Sequence, residues 1–183
     1  MILGHHAGGA RAILREVDPS ALGEHFANDA TPLLRTDFSD DAAWRAVVAA
    51  VMLPVEFDGS PYGAYEPQVI AVDDRDLQGA TAETLARDLA DHEEVRGYVL
   101  LADHRTLAEA SAGGEVSVVY VDLSVTDEED AELFDSYLGR SFRCAVAEIA
   151  SIEANLSIAN MDFRDFADAV EGDGVFRGFP PGG

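Results

Sequence analysis

The sequence predicts an α/β fold: a single domain with a mostly parallel or mixed central sheet of about five strands, flanked by helices. Two observations support this prediction. Short apolar runs rich in valine and leucine alternate along the chain with segments whose apolar residues recur at helical spacing. Strands alternating with helices are typical of crossover units, in which a helix carries the chain back across the sheet. A length of 183 residues suits one such domain.

The elements follow one another in a regular order. The best supported helix begins at Ser39 as N-cap and ends before Pro54, because Trp44, Val47 and Val51 lie on one helical face. Further helices are predicted over 81–89, around Leu107, and over 147–158 and 163–170. The predicted strands are 33–36, 69–72, 98–102, 116–121 and 141–146, and 69–72 is expected to be buried.

The acidic segment 126–138 leaves one point of topology open. Its leading carboxylates suit a helix N-terminus, but a solvated loop is also compatible with its composition. If it crosses the sheet, strands 116–121 and 141–146 are parallel; if it does not, they are antiparallel.

The domain is expected to span residues 32–183, preceded by a flexible or helical arm over residues 1–31. Gly4, Gly8 and Gly9 favour flexibility at the start, and regular apolar alternation begins at Leu33.

Charge excludes several classes of function. The chain has 12 basic and 35 acidic residues, a formal net charge of −23, and none of its basic residues is lysine. Such a field repels phosphate backbones and anionic lipids, so neither a nucleic acid nor a membrane is expected as a partner. A chain without lysine cannot form a lysine Schiff base or a Walker-type phosphate site. This charge would attract a basic protein partner or divalent cations, or it serves only the solubility of the protein.

The start of the chain and its cysteine count indicate the cellular compartment of the protein. Residues 1–6 lack the apolar stretch of a signal peptide, and no run is long enough to span a membrane, so we expect a cytoplasmic protein. The one cysteine, Cys144, alternates with Phe142 and Val146 and is expected on a buried strand face.

Four predicted strands end in aspartate: Asp37, Asp73, Asp103 and Asp122. In an open parallel sheet these ends share one edge, where such folds bind ligands, and converging carboxylates would suit Mg²⁺ or Ca²⁺. The competing interpretation is that each aspartate caps the following helix, and Asp103 before the Leu107 helix fits that role. We favour capping, and therefore expect no cofactor.

Two motifs carry a resemblance to a known family. Residues 35–41 (RTDFSDD) and 155–163 (NLSIANMDF), with the ending 173–179 (DGVFRGF), resemble an uncharacterised bacterial domain family best known from actinobacteria. The resemblance spans about residues 33–179. It implies a self-contained domain and brings no assigned activity.

The C-terminal motif also has a physical interpretation. Asn160 suits the left-handed residue that ends a helix, and Asp162 suits the cap of the next one. The alternative is that Asn155, Asn160, Asp162 and Arg177 line a polar binding pocket.

Two functions remain after these exclusions. The favoured one is a non-catalytic acidic domain that docks a basic protein partner, as an inhibitor or immunity-type protein does. The alternative is a divalent-cation-dependent hydrolase, or a metal-binding protein, that uses the aspartates at the strand ends. The absence of lysine disfavours the hydrolase, because few groups are left to hold a transferring phosphoryl group.

Overall fold

The computed structural model of the chain describes residues 30–56, 64–92, 95–133, 136–170 and 172–180. Within them one mixed sheet of six strands is flanked by helices, which confirms the predicted fold class. The sheet has the order β2-β1-β3-β4-β5-β6. Its strands are β1 (Thr31–Arg35), β2 (Val69–Val72), β3 (Tyr98–Ala102), β4 (Ser117–Asp122), β5 (Ser141–Ala145) and β6 (Val175–Phe176).

Strand direction divides the sheet. β1 is parallel to both β2 and β3, and β5 is parallel to β6, whereas β4 is antiparallel to both of its neighbours. Strands β1, β2, β3, β5 and β6 therefore end at one edge of the sheet, which we call the carboxyl edge, and β4 ends at the opposite edge. Segment 126–138 thus joins two antiparallel strands.

The described residues contain six α-helices and two short 3-10 helices. The 3-10 helices are Arg75–Leu77 and Val146–Glu148. The α-helices are α1 (Asp41–Val51), α2 (Ala82–Asp88), α3 (His104–Ala112), α4 (Glu128–Leu133), α5 (Ile149–Ser157) and α6 (Phe163–Asp168). None of these helices is long and apolar enough to cross a lipid bilayer.

Helix α1 begins one residue later than predicted. The N–H of Ser39 donates to Asp37 Oδ1 at 2.7 Å, so Ser39 belongs to a turn. Asp40 is the N-cap, and its Oδ1 accepts from the N–H groups of Ala42 (2.8 Å) and Ala43 (2.9 Å). The predicted core face is confirmed, because Trp44 is only 5% exposed.

The two faces of the sheet carry separate cores. The first face packs against α1, α3, α5 and α6, and it contains Trp44, Val47 and Cys144 together with an aromatic cluster. Burial raises the pKa of the Cys144 thiol, which confirms a packing residue. The second face packs against α2 through a smaller core that includes Leu34, Leu85, Leu101 and Val121. The aromatic cluster consists of Tyr98, Tyr120, Phe142, Phe163, Phe166 and Phe176.

Strand β2 is less buried than predicted. Among the described residues it pairs only with β1 and forms an edge of the sheet, so Ile70 is 37% exposed and Ala71 is also exposed. An apolar run in the sequence does not distinguish an edge strand from a central one. The predicted arm, 1–31, lies outside the described residues except for its last two, and Thr31 already belongs to β1.

Candidate functional site

The four aspartates at the strand ends do not converge. Asp37, Asp73 and Asp103 follow β1, β2 and β3 and lie at the carboxyl edge. Asp122 lies at the opposite edge, where it pairs with Tyr98, the first residue of β3. The prediction that all four could share a site is wrong for Asp122, because β4 runs antiparallel to its neighbours.

Asp103 is a helix cap, as the favoured interpretation predicted. Its Oδ1 accepts from the N–H and the hydroxyl of Thr106, both at 3.0 Å, at the start of α3. Its Oδ2 forms an ion pair with Arg143 Nη2 from β5. Burial raises the pKa of the Asp103 carboxyl, but the Thr106 and Arg143 contacts outweigh it and hold the pKa below its usual value. This carboxylate therefore links β3, α3 and β5.

A buried arginine that sequence reasoning missed organises the other two carboxyl-edge aspartates. Arg35, the last residue of β1, is 2% exposed. Its Nη2 lies 2.7 Å from Asp41, its Nη1 lies 3.3 Å from Asp73, and its Nε donates to the carbonyl of Asp37 at 3.0 Å. Its guanidinium also lies over the ring of Phe38, 4.6 Å from the centroid. The Arg35 hydrogen bond and charge lower the pKa of Asp41.

Asp37 has its own partners in the fold. Its Oδ2 lies 2.8 Å from His104 Nδ1, and its Oδ1 accepts from Ser39. Burial raises the pKa of Asp37, but these two partners outweigh it, so the pKa is lowered. Each of the predicted site residues Asp37, Asp73 and Asp103 is thus held by a protein cation or a backbone N–H. Across the described ranges, histidine, cysteine and acidic residues form no group of three or more that is placed to hold a metal ion.

The C-terminal polar residues do not form one pocket either. Asn155 and Asn160 lie at the end of α5, where Asn160 Nδ2 donates to Asn155 Oδ1 at 2.7 Å. The left-handed residue is Ala159, with φ of 50°, and not Asn160 as predicted. The reason is a Schellman ending: the N–H of Ala159 donates to the carbonyl of Leu156, and the N–H of Asn160 to the carbonyl of Asn155. This places Ala159 one residue beyond the cap.

Asp162 and Arg177 lie in different parts of the molecule. Asp162 is the N-cap of α6, as predicted, and its N–H donates to Asp165 Oδ2 at 2.8 Å. Arg177 follows β6 at the carboxyl edge and pairs with Asp173 (2.7 Å) and with Glu115 (2.8 Å) just before β4. Arg177 therefore lies at the opposite edge from the end of α5.

A pocket of about 1420 Å³ lies on the second face of the sheet. Leu101 of β3 and Val119 of β4 form part of its apolar lining. Helix α2 borders it on one side and residues 127–132 and 136–139 on the other, and Asp103 lines it at the carboxyl edge. Sequence reasoning missed this pocket because its lining comes from segments that are far apart in the chain.

The rim of the pocket is acidic and is flanked by exposed apolar side chains. Glu83 of α2, Asp127 and Glu132 contribute carboxylates, and Arg87 pairs with Glu83 at 2.6 Å. Tyr137 lines the pocket and is 58% exposed. Leu133, next to Glu132 in the chain, is 75% exposed. The pocket can therefore offer both negative charge and apolar surface to a ligand.

Two small residues shape the side of the pocket formed by residues 136–139. The Oγ of Ser136 is buried and has no hydrogen-bond partner in the described part of the chain. Gly139 has φ of +69°, and a Cβ there would lie 2.8 Å from the carbonyl oxygen of Ala82. The turn is therefore packed directly against the start of α2, which fixes the width of the pocket at this point.

Comparison with known proteins identifies the family. Residues 30–179 match the model of a family described as a domain of unknown function (DUF6924), so the chain belongs to that family. This confirms the resemblance to an uncharacterised domain family. No curated protein and no solved structure matches the chain.

Proposed function

We propose that this domain is a non-catalytic binding module that docks a basic protein partner in the pocket on the second face of the sheet. The observation that carries the proposal is the composition of that pocket. Its lining combines apolar strand residues with four carboxylates, those of Glu83, Asp103, Asp127 and Glu132. Glu83 pairs with Arg87 and Asp103 with Arg143, so Asp127 and Glu132 carry the excess negative charge of the pocket.

Electrostatics supports a cationic ligand. The chain carries a net charge of −23, so a basic partner is attracted from a distance and oriented as it approaches. The aspartates at the carboxyl edge are held by Arg35, His104 and Arg143, whereas Asp127 and Glu132 border an open pocket. Asp127 Oδ1 accepts from the N–H of Asp130, a bond that leaves the charge of the carboxylate in place. The excess negative charge is thus available where a partner has room to dock.

Apolar contacts supply the second requirement of a docking site. Interfaces are typically anchored by a few aromatic and apolar side chains at their centre, surrounded by polar residues. Tyr137 is an exposed aromatic residue that lines the pocket, and Leu101 and Val119 form part of its apolar surface. A basic segment with apolar neighbours is complementary to this arrangement.

The hydrolase alternative has no comparable support. It depends on aspartates that converge at one edge of the sheet, and Asp122 lies at the other edge. The remaining three carboxylates already contact Arg35, His104 or Arg143. A binding role requires none of these groups to be released.

The test is a calorimetric titration of the protein with short synthetic peptides that carry arginine and leucine. The titration is done at low and at physiological salt. The Asp127→Asn/Glu132→Gln double variant is expected to weaken binding about tenfold, which corresponds to about 1.4 kcal/mol. Asparagine at position 127 keeps the cap, because the Asp127 Oδ1 acceptor of the Asp130 N–H is preserved.

The matched control is the Glu56→Gln/Glu66→Gln double variant, which removes the same charge elsewhere. Both residues are exposed and flank the Val55–Tyr65 bridge, and Tyr65 contacts Glu153 of α5 on the first face. We expect this variant to bind as the wild type does, apart from a small long-range effect that salt removes. Equal losses in the two double variants, or no peptide binding at low salt, would refute the proposal.

A further inference from the structure

We infer that Gly139 is a positioning residue of the proposed binding site, which places the aromatic side chain of Tyr137 at the pocket. This inference rests on the proposed function and specifies what gives its site its shape. It comes from the backbone contacts of the turn over residues 137–140 and is independent of the charge of the pocket.

The turn favours glycine at its third position. The N–H of Arg140 donates to the carbonyl of Tyr137 at 3.1 Å, which closes a four-residue turn. Gly139 is the third residue of this turn and has φ of +69°, a left-handed conformation that a Cβ makes unfavourable. The backbone of Tyr137 is thus held by a turn whose shape depends on Gly139.

Gly139 also brings the turn into contact with α2. A Cβ at this position would lie 2.8 Å from the carbonyl oxygen of Ala82 and 3.1 Å from the Cα of Glu83. These are backbone atoms of the first turn of α2, so the rotation of a side chain cannot relieve the contact. Ala82 and Gly139 both line the pocket, and their contact therefore sets the distance between its two sides at this point.

Two hydrogen bonds fix the turn on its other sides. The carbonyl of Arg140 accepts from the N–H of Asp122 at the end of β4, at 2.9 Å. The N–H of Ser136 donates to the carbonyl of Ala131 in α4, at 2.8 Å. These bonds join the turn to the sheet and to α4, while Gly139 joins it to α2. A Cβ at Gly139 therefore has to move either the turn or α2.

Tyr137 is the side chain whose position this arrangement controls. It lines the pocket and is 58% exposed, and Leu101 and Val119 lie in the same lining. An aromatic anchor that is already in place before binding lowers the entropy lost when a partner docks. Moving the turn should therefore weaken binding through Tyr137, without any change of charge.

The first test is Gly139→Ala, with Gly113→Ala as its matched control. Gly113 ends α3 with nearly the same φ, +68°, a Cβ there would meet nothing within 4 Å, and the residue does not line the pocket. Calorimetry measures the affinity for the peptides that carry arginine and leucine, at a temperature at which circular dichroism shows each variant to be folded. We expect Gly139→Ala to bind about tenfold more weakly than the wild type, and Gly113→Ala to bind as the wild type does. Wild-type affinity in Gly139→Ala would overturn the inference.

A double-mutant cycle with Tyr137→Ala shows whether Gly139 acts through Tyr137. Tyr137→Ala alone should also weaken binding about tenfold, because it removes the aromatic anchor. Adding Gly139→Ala to it should cost little more, since the side chain that the turn places is already gone. Additive losses would mean that Gly139 does not act through Tyr137 and would overturn the inference.

Gly139→Asn is the second variant if Gly139→Ala does not fold. Asparagine adopts positive φ more readily than alanine and carries the same Cβ, so it keeps the contact with Ala82 and lowers the conformational cost. It should show the same loss of affinity. A chain that folds with neither residue would make Gly139 a requirement of folding alone and would also overturn the inference.

The outcomes separate this inference from the proposed function. If the Asp127→Asn/Glu132→Gln variant weakens binding while Gly139→Ala binds as the wild type does, the inference fails and the proposed function stands. If no basic peptide binds at low salt, both fail.

Discussion

Replacing Asp103 should separate its two roles, as a helix cap and as the partner of Arg143. Asp103→Asn keeps an oxygen that can accept from the Thr106 N–H, since asparagine caps helices as well as aspartate does. It removes the charge that faces Arg143. Asp103→Ala removes both contributions, so the difference between the two variants measures the cap.

The magnitudes follow from burial. Breaking a fully buried ion pair costs about 3–5 kcal/mol, because the remaining charge stays desolvated. The Arg143 side chain is 12% exposed, but that of Asp103 is 34% exposed, and solvent screens the pair in part. We therefore expect the free energy of unfolding to fall by about 2 kcal/mol in Asp103→Asn. Loss of the cap adds about 1 kcal/mol in Asp103→Ala.

Urea unfolding at neutral and acidic pH measures both effects. The folded-state pKa of Asp103 lies below its usual value, so its charge stabilises the fold above the unfolded-state pKa of about 4. That contribution is lost as the pH falls through the folded-state pKa. The gap between wild type and Asp103→Asn should therefore close on acidification. A gap independent of pH, or equal losses in Asp103→Asn and Asp103→Ala, would show that this account of the carboxylate is wrong.

Four further results are expected. Trp44→Ala should destabilise the fold by about 3–5 kcal/mol, measured by chemical unfolding, and native Trp44 should emit as a buried indole. The melting temperature should rise between low and physiological salt at neutral pH, since screening weakens repulsion among 35 carboxylates. Gly113→Ala should cost about 1–2 kcal/mol for its φ of +68° alone. Gly139→Ala should destabilise the fold more than Gly113→Ala, because its Cβ would also lie too close to the carbonyl oxygen of Ala82. If urea unfolding gives equal losses of unfolding free energy for the two variants, the backbone at Ala82 moves away from the new Cβ without cost.

The strands and helices were predictable because their signals are local. Apolar spacing located α1 and its buried face, and the Asp103 cap located the start of α3. Strand direction is not local: the antiparallel setting of β4 follows from how segment 126–138 connects it to β5, and composition left that open. The two-residue β6 is too short to show any periodicity. The edge position of β2 likewise depends on which strands pair, and its own residues do not encode that.

The candidate site was less predictable than the fold. The sequence does place an aspartate after each of four strands. In the structure three of these aspartates contact Arg35, His104 or Arg143, and the fourth lies at the other edge of the sheet. A signal for part of this was present: Arg35 ends an apolar run two residues before Asp37, and a buried arginine requires carboxylate partners. The pocket gave no comparable signal, because Leu101, Val119 and Glu83 come together only in the folded chain.

The distribution of arginine explains why the functional surface is expected away from the carboxyl edge. In open sheets of this kind ligands usually bind beyond the carboxyl ends of parallel strands. Here Arg35 and Arg143 come from strands and point their charge at that edge, where they hold Asp73 and Asp103 in place. A ligand cation at that edge would have to displace an internal ion pair, and a ligand anion would meet the surrounding carboxylates. On the second face Asp103 also lines the pocket, but the proposed contacts of a cationic side chain are with Asp127 and Glu132. Binding there leaves in place the ion pairs that join β1 to the end of β2 and β5 to the end of β3.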